Sequence, residues 1–262
     1  MWNKVPINQK AFDLAFFGNL IFDNPLGKSK TQITVIPYTS GINTNDFNSN
    51  INYNNISFGG DAKVTIGNGM NLDLTFNPDF SQVEVDDQII NITRFEINLP
   101  EKRQFFIQNS DLFSSFGDSR VSRTFFSRRI GVARDENGNT IENKISAGLR
   151  LSGKLSKNTR LGVLNMYTNN DPKNNIKANT NSVIALQQKL FSRSNLSLLF
   201  INRQNTAKNE LDYNRVIGVD YNLLSKDAVW DGKFYFHNSF STLIKTNPFS
   251  TGFTLSYNCL LY

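Results

Sequence analysis

What most restricts the fold of this chain is a period-two alternation of apolar and polar residues, which recurs along the sequence while helical periodicity is almost absent. In 145–155, Ile145, Ala147, Leu149, Leu151 and Leu155 share one face, and Ser146, Gly148, Arg150, Ser152 and Lys154 share the other. In 216–223, Ile217, Val219, Tyr221 and Leu223 oppose Gly218, Asp220 and Asn222. Phe234, Phe236 and Phe240 oppose Lys233, Tyr235, His237 and Ser239, and Leu72, Leu74 and Phe76 oppose Asn71, Asp73 and Thr75. Near the end, Phe253, Leu255, Tyr257, Cys259 and Leu261 oppose Thr254, Ser256 and Asn258. Successive side chains of a strand point to opposite faces, so the pattern predicts an all-β, antiparallel fold.

The connections alternate as well. Residues 155–159 and 190–195 are tight polar turns, whereas 169–181 and 204–214 are longer loops rich in Asn, Lys and Asp. Short turns alternating with long loops are the rhythm of an outer-membrane-type β-barrel. The polar faces carry too much charge for a dry core and suit a wet lumen, with the apolar faces toward lipid. A soluble sandwich gives the same one-faced alternation and stands as an alternative. At 39% hydrophobic and without a run of about 18 apolar residues, the chain is not a helical membrane protein. The 22 phenylalanines, spread along 262 residues, argue against disorder. The chain opens without a secretion signal, and the expectation is that its natural N-terminus lies further upstream.

Charge is densest in 77–131. Carboxylates at Asp79, Glu84, Asp86, Glu96 and Glu101 stand beside guanidiniums at Arg94, Arg103, Arg128 and Arg129. Glu84 and Asp86 fall on one face of an extended segment, as do Arg94 and Glu96. These nine residues are read as a charge network in the lumen, a plug-like lattice in which planar guanidiniums pair with carboxylates. The catalytic alternative takes Glu84, Asp86 and Glu101 as acids and bases for glycoside hydrolysis. Arg120, Arg123, Arg128, Arg129 and Arg134, interleaved with Phe125 and Phe126, would suit a nucleic-acid patch, but the nearby acids argue against nucleic acid as a partner. No metal site and no cofactor is expected. The one histidine, His237, and the one cysteine, Cys259, cannot build a multi-histidine or thiolate centre. Asp135–Asn139 begins like a calcium loop, yet its glycine stands fourth and Ser146 occupies the twelfth position, so it reads as a hairpin turn. His237 is expected to make hydrogen bonds in the lumen and Cys259 to pack on the apolar face.

Leu72-Asp73-Leu74-Thr75, Asn77–Asp86, Asn91–Glu96, Pro100–Phe106 and Phe126–Gly131 together resemble the signature of a family of Bacteroidetes outer-membrane proteins, a domain of unknown function (DUF5916). The similarity runs from about residue 30 to the end. Gln104 replaces a usual Pro, Gln108 a usual Glu and Phe126 a usual Tyr. The resemblance implies a secreted protein in which a family-9-like carbohydrate-binding module precedes a long C-terminal barrel. On that basis residues 1–57 are the tail of an upstream module and linker, with a strand over 31–38 stopped by Pro37 and an Asn-rich loop over 39–55. Residues 58–131 are the signature segment with the first strands, and 132–262 are barrel hairpins. Those hairpins are too few to close a large barrel, so an open or incompletely closed sheet is expected. The function implied is non-enzymatic: an outer-membrane barrel acting as a surface-associated pore or scaffold for glycan uptake or export. Outer-membrane lipid is the partner implied, with carbohydrate as a further candidate, and the sequence leaves the oligomeric state open. A membrane-associated glycan hydrolase and a soluble β-sandwich binding module are the alternatives.

Overall fold

A computed structural model describes residues 20–24, 31–46, 51–78, 100–118, 121–134, 136, 140–206, 212–242, 246 and 248–258. Ten strands form one sheet in which every neighbouring pair is antiparallel. The chain enters through β1 (Ile33–Asp46), β2 (Ile51–Ile66) and β3 (Met70–Phe76). A long insertion then carries α1 (Gln104–Ile107) and α2 (Asp111–Ser114). It continues through the small ribbon of β4 (Gly117–Asp118) and β5 (Ser122–Arg123), and the hairpin of β6 (Val132–Arg134) and β7 (Thr140–Glu142). The sheet resumes with β8 (Ile145–Lys154), β9 (Thr159–Thr168), β10 (Asn179–Leu190) and β11 (Ser194–Asn205). It ends with β12 (Tyr213–Leu224), β13 (Trp230–Ser241) and β14 (Phe249–Tyr257). Spatial order follows chain order, with β3 beside β8 across the insertion. Among the described residues β1 and β14 are open edges, and the sheet is not closed into a barrel. The turns 67–69, 155–158, 191–193 and 225–229 lie at one end of the sheet, and the insertion and the longer loops leave from the other.

The sheet reaches across the boundary drawn at residue 57, since β1 and β2 belong to the same ladder as the later hairpins. Pro37 does not stop β1, and the Asn-rich stretch after it is paired strand rather than loop up to Asp46. The reason is register. The Thr65 amide donates to the Gln32 carbonyl at 3.0 Å, so even-numbered residues of β1 bond to β2. Pro37 therefore turns its missing N–H to the open edge, where a strand tolerates proline. Ile145 also departs from the simple alternation. A bulge between Ile145 and Ala147 turns its side chain from the apolar outer face to the inner one, where it is buried.

The two faces differ sharply. The outer face exposes Phe58 (71%), Phe76 (66%), Ile217 (51%), Phe236 (52%) and Phe253 (74%) to the surroundings. The inner face holds the only buried apolar cluster among the described residues. In it Leu164, Met166, Val183, Ala185 and Leu199 of the strands meet Phe106, Leu112, Phe113, Phe116 and Ile130 of the insertion. This core is filled from within by the chain's own inserted segment and not by a second sheet. Close approach depends on Gly162: a methyl group there would lie 2.7 Å from the Phe113 ring. Gly162→Val should leave the strands paired but lift Phe113 from the sheet. Limited proteolysis should then cleave at Arg123 and Arg128 well before the wild-type chain is cut, with the strand signal in circular dichroism unchanged.

Candidate functional site

The inserted segment crosses the inner face, and its anchors follow one another across the sheet. At the start, Arg150 of β8 is 2% exposed and donates through Nε and Nη2 to Asp73 Oδ2 on β3, at 3.2 and 2.8 Å. Its Nη1 donates to the Gln108 carbonyl at 2.9 Å, and Lys63 of β2 donates to the Gln108 side chain. Lys63 also lies 4.0 Å from Asp73. Register explains the triplet, because Asp73 sits opposite Lys63 on one side and opposite Arg150 on the other. The Asn109 amide then reaches Ser152 of β8 at 3.2 Å, and Asp111 takes a forked pair of bonds from Arg160 of β9 at 2.6 and 3.1 Å.

Further across, Lys233 of β13 donates to the Ser115 carbonyl at 2.6 Å and lies 3.2 Å from Asp220 Oδ2 of β12. The same Asp220 oxygen accepts from the Gly117 amide at 2.8 Å, while its Oδ1 lies 2.6 Å from His237 Nε2. His237 Nδ1 is 2.7 Å from the Thr124 hydroxyl, and Ser122 meets Ser250 of β14 at 2.7 Å. Asp220 and His237 are both buried, so each is held by partners that satisfy it away from water. Gly218, opposite His237, leaves the space in which the imidazole lies.

Within the segment, Glu101 and Arg103 tie two ends together. Arg103 Nε and Nη2 each donate to the Glu101 carboxylate at 2.8 Å, and the Arg103 amide adds a bond at 3.0 Å. Nη1 and Nη2 also donate to the carbonyls of Ile130 and Ser127, both at 2.7 Å, and the guanidinium lies over the Phe106 ring at 4.2 Å. Burial pushes the Glu101 carboxyl upward, but its bonds to Arg103, the Arg103 charge and the Ser127 hydroxyl together hold it below the ordinary glutamate value. A carboxylate kept ionised in this way suits an anchor better than a proton donor.

The structure thus brings Glu101 and Arg103 together. It places Arg128 and Arg129 in the adjoining 3-10 turn, with Arg128 donating to the Pro100 carbonyl at 2.9 and 2.7 Å. Asp79, Glu84, Asp86, Arg94 and Glu96 lie outside the described residues, as does Cys259. Asp73, Arg150, Asp220, Lys233 and Thr124 are central here; Asp73 stands in a signature segment, whereas in the sequence the others are marked only by a place on the polar side of a strand or beside a basic run. Among the described residues, no group of three or more His, Cys, Asp or Glu side chains is arranged to hold a metal ion.

A family model described as a domain of unknown function (DUF5916) matches residues 29–260, which takes in the whole sheet and the inserted segment laid across it as a strap. The chain belongs to this family. No curated protein and no solved structure matches it.

In this DUF5916 chain the strap is held by charge pairs whose loss would strand buried partners. Arg103→Ala should cost about 3–5 kcal/mol of unfolding free energy in denaturant titration, because Glu101 would keep its charge without its counter-ion. The depressed Glu101 pKa gives a pH dependence of definite sign. Its contribution is present above the ordinary glutamate value and is lost as the pH falls through the lowered one, starting from about pH 5. Hydrogen exchange at residues 100–134 should accelerate over that acid range, and Glu101→Gln should flatten the dependence.

Proposed function

We propose that this chain is part of a non-enzymatic β-barrel of the outer membrane, a surface-associated pore or scaffold serving glycan uptake or export. The observation that carries the reading is the outer face. Apolar side chains cover it across all ten strands, from Ile33 and Val35 of β1 to Phe253 and Leu255 of β14, without a covering layer among the described residues. Water-exposed monomers seldom show a contiguous apolar patch beyond a few hundred Å², and a strand face of this kind is suited to hydrocarbon. Trp230 and Tyr257, with ring centroids 4.9 Å apart, lie at the short-turn end, where an interfacial aromatic belt would be expected. The inner face by contrast carries the charged anchors beside the apolar cluster that the strap covers, and the strap fills part of the space that a closed barrel would enclose.

A cavity of about 310 Å³ between strap and sheet supports the glycan part of the reading. Phe113, Phe125 and Phe126 supply ring faces, and Glu101, Ser114 and Ser127 supply polar groups, a combination suited to the apolar faces and hydroxyls of a sugar. No helix of the described residues is long and apolar enough to cross a membrane, so any crossing would be made by strands.

The test is insertion. The full chain, refolded in the presence of phospholipid vesicles, should float with them after an alkaline carbonate wash. A monodisperse, water-soluble monomer that stays at the bottom of the gradient would overturn the reading. Val219→Arg, on the outer face, should weaken insertion by about 2–4 kcal/mol, as a cation near the bilayer midplane does. The same substitution in a sheet facing water would change stability little.

A further inference from the structure

The inner face carries a second polar feature, which shares only Arg160 with the strap's anchors. At the short-turn end a cleft of about 510 Å³ opens between the 155–158 turn and the 191–193 turn. Its lining includes Lys154, Lys157, Arg160, Lys189 and Arg193 and contains no carboxylate. Arg160 is engaged with Asp111 and with the Gln187 side-chain oxygen at 3.1 Å, and Arg193 donates to the Lys226 carbonyl. Lys154, Lys157 and Lys189 are exposed, and among the described residues no carboxylate lies within salt-bridge distance of them. Like charges gathered around one opening repel unless an anion sits between them. Ser192 and Asn195 add neutral donors at the same wall.

The geometry points to a binding site for a soluble polyvalent oxyanion, a phosphate-bearing solute. The exposed ammonium groups of Lys154, Lys157 and Lys189 attract phosphate as point charges, while Arg160 and Arg193, engaged elsewhere, add their charge to the rim. The cleft is larger than a single phosphate needs, so a solute with several phosphoryl groups, or a phosphorylated sugar, fits better than inorganic phosphate. A lipid headgroup carries the same chemistry, but the position disfavours it. Lys154, Arg160 and Lys189 stand two or four residues from Ser152, Gly162 and Ala185 in the same strands and so share their inner face, and the site looks away from the apolar surface an acyl chain would need. The site does not depend on the protein being a pore. Were it one, cations at the mouth would favour anions in transit.

The experiment is a calorimetric titration of the full folded chain in zwitterionic micelles, at low salt, with sodium tripolyphosphate. We expect saturable binding that weakens as sodium chloride is added. The triple substitution K154Q/K157Q/K189Q should weaken it about tenfold or more, since it removes three nearby charges. These positions lie outside the strap's anchors, and unchanged protease protection of residues 100–134 would certify the fold. Should the triple variant misfold, Lys157→Gln alone, on an exposed turn, should still give a measurable loss. Absence of tripolyphosphate binding, or equal affinity in a folded variant, would overturn the assignment. So would binding confined to nanodiscs of anionic phospholipid, which would give the site to a headgroup. Because the titration is done in micelles, its outcome is independent of whether the chain inserts into vesicles.

Discussion

The structure depends on the need to satisfy charged and polar groups on the inner side of the sheet. Asp73, Arg150, Asp220 and His237 are all buried on or beside one face of a single layer of strands. A sheet alone could not cover them. Desolvated charges are tolerated when paired and fully hydrogen-bonded, and the strap supplies what the strands lack: the Gln108 carbonyl for Arg150, the Gly117 amide for Asp220 and the Thr124 hydroxyl for His237. The same segment brings Phe106, Phe113 and Phe116 over Leu164, Met166 and Leu199. Polar anchoring and apolar burial therefore act together, and losing either would expose the other.

With the strap occupying one side, the opposite side is left to the surroundings. Its aromatic residues form a continuous surface across the last strands. Phe234 stacks on Phe253 with 9° between ring planes, and Phe236 on Phe249 with 20°. Cross-strand aromatic pairs of this kind stabilise a sheet without a second layer above it. That division gives the membrane proposal its physical content: one face made self-sufficient by the chain's own insertion, the other by an apolar medium.

The strands were legible in the sequence because a half-buried strand writes its two faces into alternate residues. Ile217 and Val219 against Asp220, and Phe234 and Phe236 against His237, read correctly without coordinates. What could not be read was non-local. Alternation puts Asp73 and Arg150 on polar faces, but their pairing needs β3 and β8 to be neighbours across an insertion of unpatterned sequence. Thr124 gives no local sign that it will meet a histidine far along the chain. Pro37 misled because proline is read as a strand breaker, and its tolerance depends on β1 being an edge. Ile145 misled because a single extra residue reverses the side on which a residue falls. In the charged signature, Glu101 and Arg103 are adjacent enough for a pairing to be anticipated, whereas the geometry of Glu84 and Asp86, on which the hydrolase alternative rests, lies outside the described residues.

The claim that one face meets lipid while the other is closed by the strap is tested most directly by a spin-label accessibility scan. Single labels at 216–223 of β12, introduced into the full chain with Cys259 replaced, would be measured in phospholipid vesicles with oxygen and with a water-soluble nickel chelate. The account predicts a period of two. Oxygen should reach positions 217, 219, 221 and 223, while 218 and 220 stay shielded from both reagents beneath the strap. Uniform accessibility to the nickel chelate along the strand, or shielding of 217 and 219 in the absence of lipid, would contradict it.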